Sequence, residues 1–143
     1  IGLPGDTIQI IDGNLYFNKE IIDKKKIEAK LEINCGVEIL RSSIYEETLP
    51  SGKKYLSAYR IIGSMQNTDR YIVPDDHFFF MGDNRDCSKD SRFLSSVGYV
   101  HFDNLVGKAQ IIFLSNNNKK HSLIKFWKWN ETIRFNRFFK KIL

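Results

Sequence analysis

The stretch DTIQIIDGNLYFN, residues 6–18, indicates the fold most directly. Apolar and β-branched residues lie on both sides of Asp12-Gly13, a dipeptide that favours the tight turn between two antiparallel strands. The preceding Pro4-Gly5-Asp6 is typical of a turn. We therefore predict a β-hairpin in this part of the chain.

After this hairpin, the residue composition of the chain changes twice. Residues 24–70 are dense in charge and carry only short apolar alternations, so we interpret them as an insertion with a small sheet of its own. HFFFM, residues 77–81, predicts a buried strand, and residues 108–114 predict another. The predicted domain ranges are a β-rich core of residues 1–23 and 71–118, an inserted cap-like subdomain of residues 24–70, and a basic aromatic C-terminal segment of residues 119–143.

Composition limits the class of protein. The chain has 143 residues, of which 42% are hydrophobic and 27% charged, as is typical of a globular chain with one core. Its longest apolar runs are far shorter than the ~20 residues of a membrane helix. Between residues 119 and 143, eight Lys and Arg face Glu131 alone, a net charge of +7, whereas the rest of the chain sums to −2. Because the basicity belongs to one segment, the composition does not favour a nucleic-acid-binding function.

The C-terminal segment predicts a basic helix. Asn130 can cap a helix that begins at Glu131, and the apolar residues after it recur at helical spacing. These apolar residues are Phe135, Phe138, Phe139 and Ile142. Trp127 and Trp129 precede the helix, so two interpretations stay open: a terminal helix docked on the core, and a contact of residues 127–143 with a membrane surface.

The two cysteines form no recognisable pattern. Two are too few for a fold held together by disulfides, and nothing brings Cys35, in the insertion, next to Cys87. We expect two free thiols, with Cys87 partly shielded, and no redox compartment follows from them.

A second unusual stretch, MGDNRDCSKDSR at residues 81–92, follows the apolar HFFF. The simplest interpretation is a solvated turn with weak surface ion pairs. A calcium loop fits poorly, because Arg85 stands where a ligand oxygen is required and Ser88 stands in place of the invariant Gly. A Cys–His hydrolase built on Cys87 stays open, although the histidines of the chain lie in no motif.

Two segments, GLPGD at residues 2–6 and GDNRDCSKDSR at residues 82–92, resemble signature segments of bacterial type I signal peptidases and occur in the same order. The flanking YIVPDDHFFFMGDNRD and GYVHFDNLVGKA are similar as well. The insertion resembles the family only weakly. The chain departs from the usual pattern at Cys87, where the family commonly has Asn.

The resemblance implies a membrane-tethered serine endopeptidase that removes signal peptides from exported preproteins. It implies a Ser nucleophile and a Lys general base, with no metal or organic cofactor. The expected fold is mostly β, with an antiparallel β-barrel-like catalytic core, a smaller inserted subdomain and a C-terminal basic helix. The expected location is the outer, periplasmic face of the bacterial cytoplasmic membrane, and the expected partners are preprotein signal peptides and no nucleic acid.

The resemblance also implies roles within residues 82–92. A lysine must lose its proton before it can act as a base, and burial lowers its pKa from about 10.4 towards neutrality. Ser88 would orient that lysine through a hydrogen bond, and Asp90 and Arg92 would form an ion pair that fixes the loop. Three further residues would complete its scaffold: Gly82, Asp83 and Arg85.

The nucleophile and the base of the family precede the segment that GLPGD matches, so both are expected upstream of Ile1, as is the membrane anchor. Residues 1–143 alone are then expected to cleave nothing. The pair Ser64-Met65 resembles the Ser-Met of the nucleophile, but it follows GLPGD and lacks the nearby Pro, so we interpret it as unrelated to catalysis. Two other functions stay open: a non-catalytic β-module that binds extended peptides by strand addition, and a basic nucleic-acid-binding domain.

Overall fold

The structure, a computed structural model, describes residues 1–35, 38–116 and 132–142, with the backbone alone for residues 28–31 and 34. It contains two compact units, residues 1–105 and 106–143. The strands of the described residues all lie in the first unit: β1 (Thr7–Ile11), β2 (Asn14–Phe17), β3 (Glu20–Ile21), β4 (Asp23–Cys35), β5 (Glu38–Thr48), β6 (Lys54–Arg60), β7 (Tyr71–Ile72), β8 (His77–Phe78) and β9 (Val100–His101). Short 3-10 helices cover Phe102–Asn104 and Phe135–Arg137.

The predicted hairpin is confirmed and forms the centre of the first sheet. β1 pairs with β2 from Ile8 opposite Phe17 to Ile11 opposite Asn14. The turn residues Asp12 and Gly13 have φ of 49° and 73°, the left-handed values that a tight primed turn needs at both positions. β3 and β7 extend the hairpin into a four-stranded antiparallel sheet with the order β3-β2-β1-β7.

The core of the first unit lies against this sheet. Ile8 and Ile10, two positions apart on β1, point to the same face and are both 4% exposed. They pack with a wider group of buried residues: Leu15, Ile22, Tyr71, Val73 and Phe79. Phe79 comes from HFFFM, and its backbone pairs with Gly2, with an N–H to O distance of 2.7 Å in one direction and 3.0 Å in the other. Gly2, in the first segment that resembles the signal peptidases, therefore pairs next to this core with the stretch that leads into the second segment.

The insertion has a sheet of its own, as predicted. The long strands β4 and β5 form a hairpin, and β6 pairs with the other edge of β5, giving the order β4-β5-β6. A tight turn joins β5 to β6: the Leu49 N–H donates to the Lys53 carbonyl at 2.9 Å, and Gly52 has a φ of 78°. We call this sheet, residues 23–60, the inserted sheet. The domain ranges given above stay a prediction.

The mostly β, antiparallel class is confirmed, whereas the barrel is not. β8 and β9 form a third, two-stranded antiparallel sheet, and within the described ranges none of the three sheets closes on itself. The strand predicted over HFFFM is shorter than expected, since β8 covers His77–Phe78 and Phe79 makes only the bridge to Gly2.

The predicted C-terminal helix is not confirmed, because residues 133–142 form no α-helix. Within the second unit this segment pairs with residues 110–116: Phe139 N–H donates to the Ile112 carbonyl at 2.8 Å, and Ile112 N–H donates to the Lys140 carbonyl at 2.9 Å. Phe139 has a φ of 55°, which interrupts any helix. These backbone groups are satisfied by another segment, so helical periodicity did not decide the structure.

Part of the tail prediction cannot be compared with the structure. Trp127, Trp129, Asn130 and Glu131 lie outside the described residues, and the docked and membrane-surface interpretations both depend on them. In the parts of the chain that the structure does describe, no helix is long and apolar enough to cross a membrane.

Candidate active site

Residues 82–92, called the signature loop below, close on themselves at the edge of the core. The Ser91 N–H donates to the Phe80 carbonyl at 3.0 Å, and the Phe80 N–H donates to the Ser91 hydroxyl oxygen at 2.9 Å. Ser91 is fully buried, and Phe80 directly follows the core residue Phe79. The loop therefore leaves the core and returns to it at the same place.

Asp90 and Arg92 form a buried bidentate ion pair in this loop. Arg92 Nε lies 2.8 Å from Asp90 Oδ1, and Arg92 Nη2 lies 2.9 Å from Oδ2. The two side chains are 7% and 1% exposed, so neither charge has bulk water as a partner. Burial by itself raises the pKa of Asp90, but hydrogen bonds from Arg92 and the Gly82 N–H outweigh it and leave the pKa below its ordinary value. Asp90 is thus a carboxylate at neutral pH.

Ser88 and the Asp90 carboxylate both lie close to Gly82. The carboxylate accepts the Gly82 N–H at 2.8 Å, and the neighbouring Ser88 side chain helps to lower its pKa. A Cβ added at Gly82 would overlap both Oγ and Cβ of Ser88. Gly82 does not have a positive φ, so glycine is needed here because Ser88 approaches the backbone closely and not because of a turn.

Arg85 binds Glu47, a residue that was not predicted to belong to the site. Its Nη2 donates to Oε2 of Glu47, on β5, at 2.5 Å, and the two side chains are 4% and 1% exposed. The Tyr59 hydroxyl donates to the other carboxylate oxygen of Glu47 at 2.5 Å. Asp83, expected to act with Arg85, is instead exposed and accepts the N–H of Asn84 at 2.8 Å.

Backbone hydrogen bonds join the signature loop to the inserted sheet. The Ala58 N–H, on β6, donates to the Asp83 carbonyl at 2.8 Å, and the Arg85 N–H donates to the Ala58 carbonyl at 2.9 Å. This is a short parallel bridge between β6 and the loop. The loop thus extends the edge of the inserted sheet.

The expectation of two free thiols was wrong. A disulfide joins Cys35, at the end of β4, to Cys87 in the signature loop, with 5.3 Å between the Cα atoms, inside the usual range of about 4.4–6.8 Å. The two cysteines are 52 residues apart in sequence. Cys35 lies at the tip of the long β4–β5 hairpin, which brings it to Cys87. The residues around the two cysteines do not predict the length of this hairpin.

Asp86 ties the loop to the segment that follows β6. Its carboxylate accepts the Arg60 N–H at 2.7 Å, the Ser64 hydroxyl at 2.9 Å and the Met65 N–H at 3.2 Å. Ser64 therefore serves as a hydrogen-bond donor to a carboxylate, a structural role that fits its exclusion from catalysis.

Lys24 has a pKa below the ordinary value of lysine. The cause is burial, with opposing contributions from Glu47, which raises the pKa, and Arg85, which lowers it further. Its ammonium donates to the Gly13 carbonyl at 2.8 Å and lies 4.6 Å from the ring centroid of Tyr59. The contact with the Tyr59 ring is a cation–π contact, which requires the protonated form, whereas an ammonium and a neutral amine can both donate to the Gly13 carbonyl.

Most of the chain is similar to known signal peptidases. The family model described as signal peptidase, peptidase S26, matches residues 1–114. The chain belongs to this family. It is 38% identical over 159 residues to the signal peptidase I of Rickettsia bellii, an alignment that covers 99% of the chain and 52% of the relative.

Two further relatives of the same name are similar. The signal peptidase I of Rickettsia felis is 37% identical over 158 residues and that of Rickettsia conorii 36% over 157 residues, each aligned over 99% of the chain and 57% of the relative. The chain spans about half the length of these curated relatives. No solved structure matches it. The match to the signal peptidase family includes the signature loop and the core strands, the two parts that the structure brings together.

Proposed function

We propose that this chain is part of a signal peptidase I-type serine endopeptidase that removes signal peptides from exported preproteins by a Ser–Lys mechanism. The observation that carries the proposal is the buried Asp90 carboxylate, which binds Arg92 and the Gly82 N–H and lies next to the Ser88 hydroxyl at Gly82. Such an arrangement fixes one hydroxyl group in one direction, as an orienting group for a base requires.

The hydrogen-bonding capacity of Ser88 suits that role. A serine hydroxyl has one proton to donate and two lone pairs that accept. In this proposal Ser88 donates its proton to Asp90, which leaves its oxygen as an acceptor for an N–H of a neutral lysine amine. The lone pair of the amine then stays free to accept the proton of the serine nucleophile. The low pKa of Asp90 keeps the carboxylate in its accepting form throughout.

The pairing of Gly2 with Phe79 supports a place for that lysine. In the family the base lies on the strand that runs into the GLPGD segment. A strand that enters Gly2 would continue the antiparallel bridge to Phe79 and run alongside Met81 and Gly82. A lysine on this strand would therefore lie beside Ser88. In this proposal the Ser nucleophile and the Lys base both come from outside residues 1–143.

The proposed substrates are preproteins with small residues before the cleaved bond. The proposed location is the outer, periplasmic face of the bacterial cytoplasmic membrane. The Cys35–Cys87 disulfide supports an oxidising compartment, since such bonds persist in the periplasm and are rare in the cytosol. A membrane contact of residues 127–143 stays a prediction.

The test is preprotein cleavage by the full-length protein that carries this chain. Replacing Ser88→Ala should lower kcat on the order of 10²–10⁴-fold, the contribution of a positioned proton acceptor, while the thermal midpoint changes little. Ser96→Ala, at an exposed serine whose hydroxyl makes only a local 3.4 Å contact with the Phe93 carbonyl, is the matched control and should leave kcat unchanged. Full turnover by Ser88→Ala, or cleavage by residues 1–143 alone, would refute the proposal.

A further inference from the structure

We propose that Glu47, in the inserted sheet, is a positioning residue for Ser88. It would act by holding the side chain of Arg85, and through Arg85 the whole signature loop. The inference rests on the proposed function, in which Ser88 orients the base. It gives the inserted sheet a part in the active site.

Glu47 is placed to hold its partner in a single position. It is fully buried, and both of its carboxylate oxygens are engaged at 2.5 Å, one by the Tyr59 hydroxyl and the other by Arg85 Nη2. Tyr59 is itself buried at 8% exposure, and burial keeps its pKa far above the ordinary value, so its hydroxyl remains a donor. A carboxylate held on both sides cannot rotate, and it therefore defines where the guanidinium of Arg85 lies.

The guanidinium of Arg85 depends on this carboxylate. Its Nε has no hydrogen-bond partner among the described residues, and its Nη1 lies 3.9 Å from the sulfur of Met81. Arg85 Nη2 also donates to the Tyr55 hydroxyl oxygen at 3.2 Å, but this acceptor is neutral and does not balance the charge of the guanidinium. If Glu47 lost its charge, Arg85 would be a buried cation without its ionic partner. The loop would then have to move to bring the guanidinium to water.

A continuous set of buried contacts leads from Arg85 to Ser88. The backbone carbonyl of Arg85 accepts a hydrogen bond from Nη2 of Arg92. The same guanidinium binds Asp90 at 2.8 and 2.9 Å, and Asp90 binds the Gly82 N–H, where Ser88 lies against the same residue. A displacement of Arg85 therefore displaces the acceptor of Arg92 and, with it, the carboxylate that aims Ser88.

The adjacent residue provides a matched control. Glu46 lies on the same strand but points to the opposite face, where it forms an exposed ion pair with Lys54 at 2.8 Å. In the full-length protein, Glu47→Gln should lower kcat for preprotein cleavage about 10²-fold, the usual cost of misplacing a group near the chemistry by about 1 Å. KM should stay within about threefold, because the substrate does not touch Glu47. Glu46→Gln should change neither constant.

A second measurement reports on the loop directly. Hydrogen–deuterium exchange followed by mass spectrometry should show faster exchange of residues 82–92 in Glu47→Gln and unchanged exchange in Glu46→Gln. If Glu47→Gln does not fold, Tyr59→Phe takes its place, because it removes one hydrogen bond from Glu47 and leaves the ion pair with Arg85. Its expected loss of kcat is on the order of tenfold, because the bond that it removes ends on a charged carboxylate while the ion pair with Arg85 remains.

The outcomes separate this inference from the proposed function. A wild-type protein that cleaves no preprotein would overturn the proposed function and, with it, any role of Glu47 in catalysis. A wild-type protein that cleaves, with a folded Glu47→Gln variant whose kcat equals that of Glu46→Gln, would overturn the positioning role alone. Faster exchange of the loop without a loss of kcat would also overturn it, since Glu47 would then hold the loop without affecting the reaction.

Discussion

Gly82→Ala adds one methyl group at the most crowded point of the signature loop. Gly82 has no positive φ, so the backbone itself accepts alanine without strain. The new Cβ would overlap Oγ and Cβ of Ser88, whereas the next atom, Asp90 Oδ2, would lie at an ordinary 3.6 Å. The perturbation is therefore directed at Ser88 and spares the carboxylate that holds it.

The size of the effect follows from that overlap. Two carbon atoms need about 3.5 Å, so Ser88 must move away by about 1 Å. A change of side-chain torsion cannot provide this movement, because the overlapping Cβ is attached to the backbone. Overpacking of this kind costs about 1–3 kcal/mol of the free energy of unfolding, and a 1 Å displacement near the chemistry costs about 10²-fold in rate. We therefore expect a folded protein that is nearly inactive.

The assay combines kcat for preprotein cleavage by the full-length protein with thermal melts. Gly52→Ala is the control: its φ of 78° strains alanine by about 1–2 kcal/mol, but its Cβ would meet nothing within 4 Å. It should lower the thermal midpoint and leave kcat unchanged. Turnover of Gly82→Ala within about threefold of wild type would refute the view that close packing on Gly82 sets the position of Ser88.

The remaining predictions concern the Asp90 carboxylate, the Cys35–Cys87 disulfide and Ser64. Because the pKa of Asp90 is lowered in the folded protein, its contribution to stability is present above the ordinary pKa of about 3.9 and is lost as the pH falls through the folded value. Asp90→Asn should lower both the urea midpoint at pH 7 and kcat. It should also reduce the loss of stability on acidification; a variant that loses as much stability in acid as the wild type would contradict this. The unfolded, unreduced protein should take up no thiol-alkylating reagent, and Cys35→Ser should lower the free energy of unfolding by about 2–4 kcal/mol; two adducts without reductant would disprove the disulfide. Ser64→Ala should cost about 1.5–3 kcal/mol of the free energy of unfolding through its lost bond to the Asp86 carboxylate and leave kcat unchanged; a large loss of kcat in a folded variant would contradict the view that Ser64 is unrelated to catalysis.

Local patterns predicted the parts of this fold that local interactions determine. The β1–β2 hairpin follows from alternating apolar residues and Asp12-Gly13, all within one short stretch. The Asp90–Arg92 pair, which the family resemblance implied, also joins residues only two positions apart. For the tail, the same kind of reasoning failed. The spacing of Phe135, Phe138 and Phe139 fits a helix, but pairing with residues 110–116 satisfied the backbone in another way.

Contacts between distant segments could not be predicted from the sequence. Glu47 and Arg85 are 38 residues apart, and they meet because two registers, β4 on β5 and β5 on β6, carry the inserted sheet to the signature loop. A one-residue shift in the register of β5 would turn Glu47 to the other face. Nothing near Glu47 distinguishes it from Glu46, and only burial in the assembled sheet separates the two.

The Cys35–Cys87 disulfide closes residues 35–87 into a covalent ring. This ring contains β5, β6, β7 and β8. Lys53 and Lys54, exposed at the β5–β6 turn, lie inside the ring. A trypsin cut there would open the backbone without separating the two pieces. The nicked molecule would keep its mass, apart from one added water, until a reductant released the fragments.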